Sequence, residues 1–328
     1  MAGTDVLVVT VESTTGWRSS SSGLTAAIGR AGASAELVRT GPAREVRTFM
    51  LTDLVQARAA RSAAARAIAR HQPRAIVYCS ITAALLWPRS GAIWVDSLAA
   101  ENRPGRHGLW QRPLERRRLR DATCVLVMSE RSLDPLGAAA SSLDPLLVRS
   151  PVDPSGPLVA PADRDITAIA YAADPEKRRL DFLLDAWRRA RRDGEELIVT
   201  GITRPDRIEG VRWAGTLDAA EYRALLRRAK LFVTAARHED YGIGALEALA
   251  DGCQLVTTTA TGPYPALGLA RELDPRLVTD DLARAIRVGL DAPLPDYPAR
   301  ARQLVAPFGT AALDKVVADA LVPRLLVA

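Results

Sequence analysis

Ten strand-length apolar runs lie along this chain in two series of five, with helical stretches between several of them. The first series is DVLVVTV (5–11), SAELVRT (34–40), AIVYCS (75–80), AIWVDS (92–97) and CVLVMS (124–129). The second is ITAIAYAA (166–173), ELIVTG (196–201), VRWAGT (211–216), LFVTAA (231–236) and QLVTTT (254–259). The clearest helical stretch, LTDLVQARAARSAAARAIARHQ (51–72), is rich in Ala and Arg, both strong helix formers. LDFLLDAWRRARR (180–192) and DAAEYRALLRRAK (218–230) repeat the pattern in the second half. Such alternation builds parallel sheets with helices on their faces, an α/β fold.

Between the two series runs RSPVDPSGPLVAPADRD (149–165), five of whose residues are Pro or Gly. It shows little helix or strand pattern and reads as a domain linker. The expected organisation is a Rossmann-like domain over 1–150, a linker over 151–165, a second domain over 166–306 and terminal helix over 307–328. The 328 residues suffice for two domains of ordinary size.

The segment HEDYGIGALEALADG (238–252) carries the most chemistry. It joins two strand-like runs, so it reads strand, glycine loop, helix, strand. Gly242 and Gly244 allow a sharp turn and close approach to a ligand. Glu239 falls in the loop beyond a strand's carboxyl end, where open α/β sheets bind ligands, and Glu247 falls about a turn into the helix. Bare amides at that helix N-terminus attract phosphate. A carboxylate accepts hydrogen bonds from sugar hydroxyls and bridges two of them.

This spacing and context resemble the E-x7-E signature of retaining GT-B glycosyltransferases, most closely family 4. Tyr241 stands where the family has Phe, and Gly242, Glu247, Ala248 and Gly252 match its pattern. The resemblance implies a GT-B fold, with two doubly wound Rossmann-like domains facing across a cleft. It implies that Glu239 and the following loop, Tyr241 to Gly244 with Ile243 between the glycines, hold the donor sugar, and that Glu247 holds the ribose. The family's Gly-Arg before a donor-site Lys is absent, since Tyr171, Ala172 and Ala173 occupy its place. Lys177 matches the Lys that holds the pyrophosphate, and Arg178 offers the missing cation. A cation at a helix start opposes the helix dipole, so an anionic ligand helps to explain it. The loop ESTTGWRSSSSGL (12–24) stands where the family has a Gly-rich loop, with Gly16 as its donor-side candidate. Asp96 occupies the position after a strand where His or Asp is expected and is the first-domain catalytic candidate, ahead of His107. The following segment, with Arg103, Arg106 and His107, is the candidate acceptor loop. His238 either lines the pocket or packs.

Residues 1–150 hold 20 Arg and 12 acidic residues, a net of +8, while 151–328 carry −2. An Arg excess suits an anionic acceptor or a lipid surface. Arg116, Arg117, Arg118 and Arg120 cluster beside Trp110 and Leu114, an amphipathic make-up that can lie at an anionic membrane. No apolar run reaches the length of a membrane span, and the N-terminus lacks a basic n-region. Cys79, Cys124 and Cys253 are scattered, without metal-ligand spacing, and read as buried free thiols of a reducing compartment. No metal-binding acidic pair stands out, and Asp280-Asp281 reads as a helix start. The resemblance implies a retaining hexosyltransferase that uses a nucleotide-sugar without a metal or cofactor, and with the composition it leads to the expectation of a cytoplasmic enzyme with an unidentified sugar, lipid or small-molecule acceptor. Peripheral contact with an anionic membrane is part of that expectation, and nucleic acid is not. The alternative is a glycosyltransferase-shaped binding protein, or a basic module for anionic polymers.

Overall fold

The computed structural model describes residues 3–11, 15–41, 49–103 and 105–327. The chain forms two compact units, Met1–Pro151 with Thr310–Ala328, and Val152–Gly309.

The first unit opens with β1 (Val6–Thr10), α1 (Thr15–Arg30), β2 (Ala35–Arg39), α2 (Phe49–His71), β3 (Ala75–Cys79) and α3 (Ile81–Ala84). It continues with β4 (Ala92–Val95), α4 (Ala99–Asn102), α5 (Gln111–Asp121), β5 (Val125–Val127) and β6 (Leu146–Leu147). The strands form one parallel sheet in the order β2-β1-β3-β4-β5-β6. All five residues of β1 are buried, because helices cover both faces of a parallel sheet. Ala57, Ala60 and Ala64 recur at helical spacing along α2 and are fully buried, so small side chains let that helix press close to the sheet. Trp94 is fully buried, meets Trp17 edge-on at 5.6 Å and donates its indole N–H to the Val148 carbonyl at 2.8 Å. Its one polar atom is thereby satisfied inside the core.

The second unit runs β7 (Ile166–Tyr171), α6 (Leu180–Ala190), β8 (Leu197–Thr200), β9 (Val211–Gly215), α7 (Ala219–Arg228) and β10 (Ala229–Thr234). Then come α8 (Ile243–Ala250), β11 (Gln254–Thr257), α9 (Pro265–Leu273), α10 (Leu282–Asp291) and α11 (Tyr297–Val305). Its parallel sheet has the order β11-β10-β7-β8-β9. The chain builds outward from β7 to β9, then returns to lay β10 on the other side of β7. The carboxyl ends of β7 and β10 therefore flank the topological switch point, where a crevice forms in sheets of this kind. Asp218 and Glu221 form a reciprocal capping box that starts α7. Asp281 caps α10 by accepting from the Arg284 amide at 3.2 Å, a helix start as the Asp-Asp pair suggested.

The last helices, α12 (Thr310–Val316) and α13 (Val322–Leu326), are joined by a π-helical turn over Val317–Leu321 and belong to the first unit. Leu313, Val317, Leu321 and Leu325 are buried at four-residue spacing, so one continuous stripe packs inward. Arg30 clasps the Asp314 carboxylate with two bonds of 2.8 and 2.6 Å.

The stretch that composition marks as a linker is fastened to the second unit rather than loose. The Asp251 carboxylate, fully buried, accepts from the Ser155 amide at 2.8 Å, from the Ser155 hydroxyl and from Arg223 Nε at 2.6 Å. Arg227 and Arg302 donate to the carbonyls of Ser155 and Gly156. Pro and Gly content reports the absence of helix and strand, and these tertiary bonds leave no trace in it. The three cysteines are free and buried. Among the described residues, no helix is long and apolar enough to cross a membrane.

Candidate functional site

The switch point of the second unit gathers two cations and two carboxylates from two segments far apart in sequence. Lys177 and Arg178 lie on the turn between β7 and α6, a turn fixed by Asp174, whose carboxylate accepts from the Lys177 amide at 3.0 Å. Glu239 and Asp240 lie on the loop after β10. That loop is pinned by residues 261–262. The Glu239 amide donates to the Thr261 carbonyl at 3.0 Å, and the Thr261 amide donates to the Arg237 carbonyl at 2.9 Å. Arg178 pairs with Glu239. Lys177 Nζ lies 3.3 Å from Asp240 and 3.8 Å from Glu239. The Glu239 carboxylate is only 7% exposed, whereas Lys177 is 39% exposed. Burial works against the Arg178 charge, but the neighbouring Glu239 carboxylate outweighs it and holds the guanidinium above the ordinary arginine range.

Gly242 caps α8 with φ 75°, a left-handed conformation that glycine adopts without strain. A Cβ there would meet the Tyr264 ring at 2.5 Å, so both backbone and space require glycine. Gly252, at the other end of α8, has φ 81° and would press a Cβ to 2.5 Å from Arg164. Ile243 and Gly244 are in the first turn of α8, where backbone amides have no acceptor within the helix. Tyr241, on the same loop, is buried. His238 bridges Thr261 Oγ1 at 3.0 Å and Asp240 Oδ1 at 3.1 Å, which ties it to holding the loop.

Glu247 sits on the fifth residue of α8, its carboxylate about a quarter exposed. Burial pushes its pKa up to about 7, against the lowering effect of Arg223, whose Nη1 is 3.7 Å away. A chain of side chains connects the two glutamates. The Arg178 guanidinium lies 5.8 Å from the Tyr171 ring, and the Tyr171 and Tyr222 rings are 6.1 Å apart. The Tyr222 hydroxyl, buried and without a hydrogen-bond partner among the described residues, points toward Gly244. Burial, then the charge of Glu247, raises the Tyr222 pKa well above its ordinary value. Sequence reasoning did not single out Tyr222, Arg223 or Asp240. Only Asp240 had a local signal, its place beside Glu239.

In the first unit Asp96 lies just past the carboxyl end of β4, partly exposed, with Oδ1 accepting from the Ser97 amide at 2.8 Å. The helix that follows is anchored by Glu115, a buried carboxyl that accepts from the Ala99 amide at 2.9 Å and that burial pushes up to about 7. Arg103 does not reach outward as an acceptor-loop cation. It grips the buried Asp53 with bonds of 2.7 and 3.1 Å, and Gln111 donates to the same carboxylate. Arg106 and His107 are exposed on a single 3-10 turn. Gly16 lies in the first turn of α1 rather than in a loop, its carbonyl accepting from Ser20 Oγ at 2.8 Å. Glu12, Ser13 and Thr14 of the same segment are outside the described residues.

Within the arginine cluster of α5, Arg118 is committed to the protein, lying 5.0 Å from the Trp87 ring and donating to the Leu85 carbonyl. Arg116, Arg117 and Arg120 are exposed, Leu119 is buried, and Leu109 just before the helix is 63% exposed. Among the described residues, no group of three or more His, Cys, Asp or Glu side chains is placed to hold a metal ion.

Residues 163–291 match the family described as glycosyl transferases group 1. No curated protein sequence matches the chain. Among solved structures, the chain resembles WaaG, a glycosyltransferase of lipopolysaccharide biosynthesis, at TM-score 0.69 and 13% identity, covering 96% of this chain and 98% of that one. It resembles sucrose-phosphate synthase from Thermosynechococcus elongatus at TM-score 0.66 and 17% identity over the whole of both chains. The fold is GT-B. The lipopolysaccharide outer core galactosyltransferase WaaB matches at TM-score 0.61 and 13% identity, covering 98% of this chain and all of the other. At such identities the likeness establishes architecture, and activity has to be argued from the site.

Proposed function

We propose that this protein is a retaining, metal-independent glycosyltransferase of the family 4 kind that moves a hexose from a nucleotide-sugar to an acceptor. The observation that carries the reading is the meeting of Lys177, Arg178 and Glu239 at the switch point of the second unit, beside the bare amides of α8. Cations and helix-terminal amides suit a diphosphate, while carboxylates suit the hydroxyls of a sugar and a ribose. Glu247 takes the ribose, and Glu239 takes the sugar with the Gly242–Gly244 backbone.

In this reading the bond between the anomeric carbon and the diphosphate breaks while the acceptor oxygen bonds to the same face of the sugar. The acceptor's proton passes to the departing phosphate oxygen, so no protein nucleophile is needed. Lys177, Arg178 and the first amides of α8 stabilise the charge that grows on the diphosphate, the largest contribution such a site makes. Asp96 is the catalytic candidate of the first unit, and Arg106 and His107 its acceptor-side candidates. Arg103 keeps only an indirect part, holding the segment that carries them.

A thermal-shift screen of UDP, GDP and ADP tests the reading, because a ligand that binds only the folded state raises its melting temperature. One of the three is expected to stabilise the protein, and Lys177→Ala is expected to reduce that shift. No stabilisation by any nucleoside diphosphate would count against it.

A further inference from the structure

The charges at the switch point cancel. Arg178 is paired with Glu239, and Lys177 sits between Asp240 at 3.3 Å and Glu239 at 3.8 Å, so two cations face two carboxylates. An incoming diphosphate therefore does not meet a bare cationic pocket. It meets cations that already have anionic partners, one of them a carboxylate almost wholly removed from water. A buried carboxylate that loses its counter-ion is left uncompensated at considerable cost. The phosphate and Glu239 must then share or contest the Arg178 guanidinium.

We propose that Glu239 is an internal competitor of the diphosphate, making the site favour the intact nucleotide-sugar over the nucleoside diphosphate that remains after transfer. The inference rests on the nucleotide-sugar reading of the site. With the donor bound, sugar hydroxyls donate to Glu239 and satisfy the carboxylate while Arg178 turns to the phosphates. Once the sugar has left, those hydroxyls are gone and the carboxylate reclaims Arg178. Product release is thereby coupled to sugar transfer without any movement of the backbone. The local surroundings favour this role. The Glu239 backbone is clamped to Thr261, and a Cβ on Gly262 would come within 2.5 Å of the Glu239 carbonyl, so the carboxylate is held beside Arg178. Asp240 plays the lesser part toward Lys177, because that pair is more exposed and exposed pairs are weak.

The test measures binding of inorganic pyrophosphate, a probe independent of base and sugar, to the wild-type chain, Glu239→Gln and Asp240→Asn. Glu239→Gln is expected to bind pyrophosphate about tenfold more tightly, the equivalent of one charge-assisted hydrogen bond no longer contested. Asp240→Asn should gain about twofold, in line with its exposure. Adding Arg178→Ala to Glu239→Gln should remove the gain. A folded Glu239→Gln that binds pyrophosphate no better than wild type overturns the competitor role while leaving the donor-site reading intact. Should Glu239→Gln fail to fold, Glu239→Asp, whose shorter side chain draws the carboxylate back from Arg178, takes its place, and a folded Glu239→Asp that binds pyrophosphate no better than wild type overturns the role equally. Absence of binding to every form, by pyrophosphate and by nucleoside diphosphates alike, overturns both this inference and the reading on which it rests.

Discussion

Replacing Glu247 by Gln should remove a specific pH dependence from nucleotide binding. In the free protein, burial lifts the Glu247 carboxyl to about 7, so near neutral pH roughly half the molecules carry it protonated. Ribose hydroxyls donate to the ionised form, and each such bond to a charged group is worth about 1.5–3 kcal/mol. Taking about 2 kcal/mol, the pKa in the complex falls by about 1.5 units, since a unit corresponds to about 1.4 kcal/mol. A free pKa of about 7 and a bound pKa about 1.5 lower make binding at pH 8 about sevenfold tighter than at pH 6. The phosphate titrates in the same region, with a pKa of about 6, so the informative quantity is the difference between wild type and variant. Calorimetry with the best nucleoside diphosphate at pH 6, 7 and 8 supplies it. Glu247→Gln should bind at least tenfold more weakly at pH 8 and should retain only the slope due to the phosphate. Equal affinity and equal slope in the two proteins would refute the ribose role.

Three further outcomes follow from the same structure. Glu115 has a folded pKa raised to about 7 from 4.5, so its contribution to stability is present at pH 4.5 and below and is lost as pH rises toward 7. Glu115→Gln should accordingly stabilise the protein at pH 8 by about 1–3 kcal/mol and change little at pH 4.5, as read from urea unfolding at the two pH values; equal effects at both would reject a buried, titrating carboxyl. Lys177→Ala should weaken diphosphate binding about tenfold and leave a nucleoside unaffected, which paired calorimetric titrations check. Exposed Arg116, Arg117 and Arg120 beside exposed Leu109 should carry the chain onto anionic but not neutral vesicles in a low-salt flotation assay, with binding lost at high salt; equal flotation with both vesicle types would exclude the membrane role.

The architecture was legible because parallel strands buried on both faces are continuous apolar runs, and each of the ten runs marked in the sequence contains or overlaps a strand. The two-residue β6 escaped, since Leu146–Leu147 is too short to leave a pattern. In the candidate site, the loop and helix that carry Glu239 and Glu247 could be read locally, because glycine spacing and helix periodicity are properties of adjacent residues. Which charges meet could not. Arg178 reaches Glu239 across 61 positions and Arg103 reaches Asp53 across 50, distances over which only the folded sheet decides the partner. Arg103 looked like a loop cation for that reason, and the buried Asp53 accounts for it. The helical placement of Gly16 also escapes a local reading, since Ser20 and Ser21 are buried in the fold, their hydroxyls satisfied by bonding back four residues.

Whether the second unit presents a nucleotide-sugar for transfer is read from the release of nucleoside diphosphate. Wild-type protein is incubated in turn with UDP-, GDP- and ADP-hexoses, and free diphosphate is followed over time, since slow transfer to water reports an active donor site even without the acceptor. Saturable release from one donor is expected, with retention of the anomeric configuration in the freed sugar and loss of release in Glu239→Ala. No release from any donor by a folded protein that binds the diphosphate would contradict transfer and leave a binding protein in its place.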